Sequence, residues 1–439
     1  MKNNFTENIL LPIGDKIFGL NVYSELLKHR AYSSLCLEEL TDLQQKKLKK
    51  LINHASTTCE YYKNLINKKN PTILDFPVIN KRTVNKNIDL LISKNFKKSN
   101  LVKFESSGST GLRSEVYLSK DEISITRAIT INWWEWNGYK IGDKLIQTGI
   151  TPKRGIVKSL KDYFFNTQYI SAFGLNEKQI FDELKKINSK NNNKTFLFGY
   201  ASSLYEFAKV AEKYRLNIKL EKALSQGDKL FNHYRQKISQ VFKCDVVEDY
   251  GLSEGFMVGQ KVDLPYYYIY SPSIYIEILD NENNAVKDGE MGRIILTKLD
   301  GFAMPLIRFD SGDLGIKLPN NKYPINRKYN FPLLQKVIGR NTDIIISPNG
   351  KILVVHTFTG IFEHYSEIEQ FQIIQDSKKS ITVKYIPSDS FHQGILKKIE
   401  FDFYKQTKSD FKLKWDSVSH IKSSNSGKPE IIINKLLLK

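Results

Sequence analysis

The chain has 439 residues, 41% hydrophobic and 12% aromatic, which is enough for a large buried core and excludes a disordered polymer. Its formal net charge is +19, yet the lysines run along the whole chain without an arginine-rich arm or a nucleic-acid module; the charge reads first as a solvated basic surface, with a polyanion or anionic-lipid role as the alternative. Three scattered cysteines (Cys36, Cys59, Cys244) exclude a disulfide scaffold and a cysteine-rich zinc site, and no run approaches the ~20 apolar residues of a membrane span, so we expect a cytoplasmic protein without membrane insertion, secretory signal or nucleic-acid partner.

The first hundred residues read mostly as helix. Leu40, Leu43, Leu48, Leu51, Ile52 and Ala55 recur at helical spacing, and the helix should stop near Cys59. Asp75-Phe76-Pro77-Val78 reads as a linker, because Pro77 disfavours helix at the residue before it. From about residue 101 the pattern alternates. Ile180, Phe181, Leu184 and Ile187 share a helix face, and 189–194 (SKNNNK) is a polar turn. Thr195–Tyr200 (TFLFGY) suits a strand buried on both faces. Helices follow around 203–214 and through Leu230, Tyr234, Ile238 and Val241, then the strand Asp245–Tyr250. This alternation predicts an α/β layer with a mostly parallel sheet. Residues 266–318 carry strand-like runs separated by Asp280-Asn281 and Asp288-Gly289, which predicts an antiparallel β subdomain. Beyond Gly339-Arg340 a strand at 381–386, a helix through Phe391, Ile395, Ile399 and Phe403, and a strand at 430–434 outline a small α+β domain.

Five segments carry chemistry. Ser106-Ser107-Gly108-Ser109-Thr110-Gly111 follows a strand-like run; its small residues let the backbone approach a ligand, and its amides and hydroxyls suit phosphate oxygens. It lacks the Gly-Lys-Ser/Thr ending of a Walker loop. Glu248-Asp249-Tyr250-Gly251-Leu252-Ser253-Glu254 sets acids at the end of a strand, where α/β sheets place ligands and where a carboxylate can hold Mg²⁺ together with substrate phosphates. Arg308 and Asp313 lie in a run ending Ser311-Gly312-Asp313; the acid suits a ribose diol, and the arginine suits a phosphate or a brace for Asp313. Gly339-Arg340-Asn341-Thr342-Asp343 and Ser426-Gly427-Lys428 complete the set. Each is weak alone. Trp133, Trp134, Trp136 and Tyr139 read as helix core in preference to an acyl pocket.

In order and separation these five segments resemble the adenylate-forming superfamily of acyl-CoA synthetases, peptide-synthetase adenylation domains and luciferases. The closer resemblance is to the phenylacetate–CoA ligase branch and its capsular-polysaccharide-biosynthesis relatives, through FPVINK (76–81), AMPLIRFDSGDLG (303–315), VIGRNTDIIISPNGK (337–351) and IEQFQIIQ (368–375). The resemblance implies an adenylating domain over 1–339 and a small mobile domain over 340–439. It implies ATP and Mg²⁺, a small carboxylic acid as donor, and as acceptor either CoA or an amine or hydroxyl on a sugar. Ser106–Gly111 would cradle the phosphates, Gly227-Asp228 would lie beside the adenine, and Tyr250 would line the pocket. Glu254 would bind Mg²⁺, Asp313 would hold the ribose, Arg340 would contact ribose or phosphate, and Lys428 would stabilise the adenylation transition state. Three positions depart from the pattern: Leu112-Arg113-Ser114 ends the loop, Asp228 replaces a glutamate, and Thr342 stands at the hinge. The scattered histidines and Cys244 offer no zinc cluster, so no structural metal is expected.

Overall fold

The structure, a computed structural model, describes residues 2–105, 114–149, 162–172, 175–188, 194–340, 344–350, 352–362, 364–421 and 431–436. Three of the expected features lie outside them: the phosphate loop, the hinge residues Thr342 and Asp343, and Lys428.

The longest helix spans Leu37–Thr58 and buries Leu40, Leu48, Leu51, Ile52 and Ala55. A capping box starts it, with Glu39 N–H on the Cys36 sulfur and the Glu39 carboxylate on the Cys36 amide. It ends at Cys59, as the sequence pattern predicts. Of the expected 75–78 linker, Asp75 closes the 3-10 turn Ile73–Asp75, and the rest is pinned just beyond its far end: Ile79 N donates to the Arg308 carbonyl at 3.0 Å and Asp310 N donates to Ile79 O at 2.8 Å.

In chain order the large strands are β1 (Val102–Glu105), β2 (Glu115–Leu118), β3 (Lys144–Gly149), β4 (Thr167–Ser171), β5 (Thr195–Tyr200), β6 (Lys222–Gln226) and β7 (Asp245–Leu252). There follow β8 (Phe256–Lys261), β9 (Tyr267–Ile269), β10 (Ile274–Leu279), β11 (Met291–Lys298), β12 (Phe309–Lys317) and β13 (Leu333–Arg340). Strands β1 and β2 pair as a hairpin. Among the described residues the other eleven form one sheet, in the order β10-β11-β12-β13-β9-β8-β7-β6-β5-β3-β4. The antiparallel strands expected as a subdomain are therefore joined edge to edge with the parallel ones. Strand β7 makes the join, running parallel to β6 and antiparallel to β8.

Both faces of the parallel half are covered, which explains the unbroken apolar run of β5. Leu197 faces the helices Glu177–Asn188, Ala201–Lys213 and Asn232–Phe242. Phe196 and Phe198 face the helix Lys120–Trp136 and the helices near the start of the chain. The tryptophans on Lys120–Trp136 are core residues, with Trp133 and Trp136 buried against Tyr270 and Phe331.

Past β13 come β14 (Ile344–Ile346), β15 (Ile352–Val354), β16 (Ile368–Ser377), β17 (Ser380–Pro387), β18 (Lys412–Ser417) and β19 (Ile432–Asn434). The order β18-β17-β16-β19 makes a separate four-stranded sheet with the helix Gly394–Thr407 and its own core. Phe391 lies before that helix, whereas Ile395, Ile399 and Phe403 line its buried side.

Candidate active site

Strand β7 ends in Tyr250-Gly251-Leu252 and hands over to β8 through Ser253-Glu254-Gly255. A register shift lies between Tyr250 and Gly251. A Cβ on Gly251 would come within 2.7 Å of the Phe256 carbonyl, and Gly255 has φ +86°, so both glycines are required by the backbone. This tight reversal turns Glu254 inward.

Glu254 is 2% exposed. Lys81 Nζ lies 3.0 Å from its Oε1, and Ser114 Oγ donates to the same carboxylate. Ser114 is the first described residue after the 106–113 segment, and β2 begins at the next position. The glutamate is thus fixed at the foot of the expected phosphate loop. Lys81 comes from the first turn of the helix Lys81–Lys86, whose entry is set by Asn80 accepting from Thr83 N at 3.0 Å. In the sequence Lys81 only closes the FPVINK segment that carries part of the resemblance, with no role attached, and Ser114 figures only as a departure. Behind the turn, a Cβ at Gly255 would sit 2.9 Å from Lys298 Nζ. That ammonium has no hydrogen-bond partner among the described residues; burial lowers its pKa and the nearby Glu122 and Asp300 charges oppose the shift.

Tyr250 and Asp313 meet. The Tyr250 hydroxyl donates to Asp313 Oδ2 at 2.8 Å, and burial, helped by the Asp313 charge, holds the phenol well above its ordinary pKa. Asp313 is placed by a turn within β12, in which Gly312 takes φ +76° and Asp313 N donates to Ser311 Oγ. Arg340 is the register partner of Asp313 on β13, which sets the two residues side by side on the backbone.

Asp249 points elsewhere. Gln260 donates to it at 2.6 Å, and Asn137 in turn donates to Gln260 at 2.8 Å. Burial pushes the Asp249 carboxyl up to about 7; Gln260 opposes that shift and the Glu248 charge adds to it.

Two expected site residues are held by the scaffold. Asp228 accepts from Ala201 N at 2.6 Å and Ser202 N at 3.2 Å, so its carboxylate caps the helix Ala201–Lys213. Gly227, at φ +78°, leaves room for the Tyr200 ring, which a Cβ would meet at 2.6 Å. Arg308 has a different place from the one expected: its guanidinium pairs with Glu277 at 3.0 Å and donates to Phe76 O at 3.1 Å. It is 6% exposed and takes φ +52°, and it ties the linker to the sheet. The short Phe76-Pro77 linker brings this carbonyl to the arginine, a long-range contact that the Arg-to-Asp spacing does not reveal.

Among the described residues no group of three or more His, Cys, Asp or Glu side chains is placed to hold a metal ion. A single buried carboxylate beside a hydroxyl nevertheless fits Mg²⁺, which takes one or two carboxylates and draws most of its ligands from substrate phosphates and water.

A sheet of this order with a separate small C-terminal sheet is a fold found in solved CoA ligase structures. The solved structure of 2-hydroxyisobutyryl-CoA ligase in the postadenylation state, in complex with R3-HIB-AMP, superposes with a TM-score of 0.74 at 15% identity, covering 93% of this chain and 92% of that one. The same ligase in the thioesterfication state gives 0.59 at 16% identity over the same shares. Residues 345–435 match the CapK C-terminal domain family. The chain is 24% identical to Protein CapK of Staphylococcus aureus over 98% of its own length and 97% of that protein. It is 28% identical to phenylacetate-coenzyme A ligase of Pseudomonas putida over 137 residues, 30% of this chain and 29% of that one. The chain is thus similar to CapK over nearly its whole length and to phenylacetate-coenzyme A ligase over a shorter stretch, and it shares the fold of the 2-hydroxyisobutyryl-CoA ligase structures.

Proposed function

We propose that this chain is an AMP-forming ligase that activates a carboxylic acid with ATP as an acyl-adenylate and passes the acyl group to an amine or hydroxyl acceptor, such as a sugar of a surface polysaccharide. The observation that carries the reading is the buried Glu254 carboxylate, fixed by Lys81 and Ser114, with Ser114 the first described residue after the expected phosphate loop Ser106–Gly111. The acid's carboxylate oxygen attacks the α-phosphorus of ATP, a P–O bond forms, and the bond to pyrophosphate breaks. Two anions must approach each other, so neutralising charge is the main catalytic requirement. Glu254 would hold Mg²⁺, which would supply such charge to the phosphates. Lys81 keeps Glu254 oriented toward the loop, the loop amides receive phosphate oxygens, and Lys428 stabilises the charge that develops at the α-phosphate. Asp313, steadied by the Tyr250 hydroxyl, takes the ribose diol, with Arg340 beside it on β13. The acceptor's amine or hydroxyl then attacks the acyl carbon and AMP leaves.

CoA as the acceptor is the second reading. It draws on the names of two relatives, phenylacetate-coenzyme A ligase and 2-hydroxyisobutyryl-CoA ligase. The sugar reading draws on the resemblance of 368–375 to capsular-polysaccharide-biosynthesis proteins; the match to CapK spans nearly the whole chain where the phenylacetate ligase match spans 30%. The test is ATP–pyrophosphate exchange over a panel of amino, hydroxy and aryl acids, followed by mass spectrometry of products with CoA or amino sugars added. Exchange with one acid class and an acyl-sugar product is the expected result. An acyl-CoA product moves the assignment to the second reading, and ATP binding without exchange for any acid points to an inactive nucleotide-binding relative.

A further inference from the structure

The helical segment from Lys2 to Phe18 has a fixed side and a bare side. It runs as an α-turn Lys2–Phe5, a π-turn Thr6–Leu10 and an α-helix Leu11–Phe18. On the inner side Leu11 joins the core that holds Leu26 and Trp134, Asn3 donates to Asp143 at 2.8 Å, and Glu7 pairs with Arg30 at 2.6 Å. The outer side carries Phe5, Ile9, Ile13 and Ile17, four residues apart and 45% to 70% exposed. At the helical rise this row is about 18 Å long.

On the fixed side, Gly142 backs onto Asn3 and Thr6, and Asn166 donates to the Gly142 carbonyl; Tyr163 and Phe164 stand shortly before Asn166 in the chain. Tyr163 is 81% exposed and Phe164 44%. Exposed lysines lie on or near the segment: Lys16 on the segment itself, Lys120 donating to Phe18 O, and Lys140 in the loop that ends at Asp143. The neighbouring acids are mostly engaged, Glu7 by Arg30, Glu25 by Lys28 and Asp15 by Tyr23 N, which leaves Asp121 as an exposed acid nearby.

We propose that this ridge docks the protein on an anionic membrane surface. Phe5 and the three isoleucines enter the boundary between headgroups and acyl chains, and the bordering lysines face lipid phosphates. The net charge of +19 draws the chain to a negative surface and repels a second copy of itself, so charge favours the lipid over self-association at this face. No described helix is long and apolar enough to cross a membrane, which makes the attachment peripheral.

The full chain is sedimented with phosphatidylcholine vesicles containing or lacking phosphatidylglycerol, beside the triple variant Ile9→Gln/Ile13→Gln/Ile17→Gln. All three positions are exposed, so circular dichroism and the Tm should stay unchanged, and the substitution adds no charge. Binding to the anionic vesicles only, weakened about tenfold or more in the variant, is the expected result. The proposal is overturned if the wild type ignores anionic vesicles at low salt, or if the variant binds as well as the wild type, which would leave only diffuse lysine charge. A wild-type dimer that the variant dissociates would also overturn it, by placing a second copy on the ridge.

Discussion

Two glycine-and-acid turns lie at the ends of neighbouring strands, Gly227-Asp228 after β6 and Glu254-Gly255 after β7. In both the glycine has positive φ and the acid is held by hydrogen bonds. Their partners differ. Asp228 faces the start of a helix and takes its free amides, so its charge serves the scaffold. Glu254 faces an ammonium and a hydroxyl from two segments that flank the loop, Lys81 from upstream and Ser114 from its far end. The same local sequence character therefore yields a helix cap in one place and a buried carboxylate held by a lysine and a serine in the other. The choice is made by residues that the chain brings in from 26 or more positions away.

Substitutions can break or sharpen this contrast. Lys428→Ala should slow adenylation most, by about 10²–10³-fold, if its charge stabilises the transition state. Transfer from a supplied acyl-adenylate should be largely kept, and equal loss of both half-reactions would contradict its role. Glu254→Gln should reduce exchange about tenfold or more and raise the Mg²⁺ concentration needed, because the amide keeps the shape but loses the charge. An unchanged Mg²⁺ titration would remove the metal role.

Asp228→Ala should act on stability, costing about 1–2 kcal/mol through the lost cap, read by denaturant unfolding. A fall in ATP affinity without a stability change would reverse the comparison and return Asp228 to the nucleotide.

Asp249→Asn should leave stability unchanged at low pH and change it only at higher pH. The folded carboxyl is raised to about 7 from an ordinary value of 3.8, so the native state holds the proton more tightly than the unfolded chain. Its penalty is absent below about pH 4, grows as pH rises toward 7, and is constant above. Gln260 can still donate to the amide carbonyl that this substitution introduces, so the variant should gain stability over wild type across that window. A difference independent of pH would mean that the carboxyl titrates normally.

Much of this is legible in the sequence because it rests on local pattern. The Leu37–Thr58 helix, the apolar run of β5 and the separate C-terminal α+β unit follow from periodicity and composition, and the order of the five segments carries the family resemblance. The pairing of β7 with both β6 and β8 is long-range, and no local pattern states it. Arg308 shows the same limit: its spacing from Asp313 suggests a phosphate role, while its partner Glu277 lies 31 positions upstream. Lys81 stands in a segment that carries the resemblance, but only the fold shows that it faces Glu254. The tryptophans on Lys120–Trp136 are core, as their pattern indicates, because helical spacing with aromatics is a burial signal first.

The most direct measurement is ATP–pyrophosphate exchange with the panel of acids, run on wild type, Glu254→Gln and Asp228→Ala across a Mg²⁺ series. We predict exchange in the wild type, a loss in Glu254→Gln that extra Mg²⁺ partly restores, and near wild-type exchange in folded Asp228→Ala. Exchange that is equal in all three proteins at every Mg²⁺ concentration would contradict the assignment of Glu254 as the carboxylate at the centre of this site.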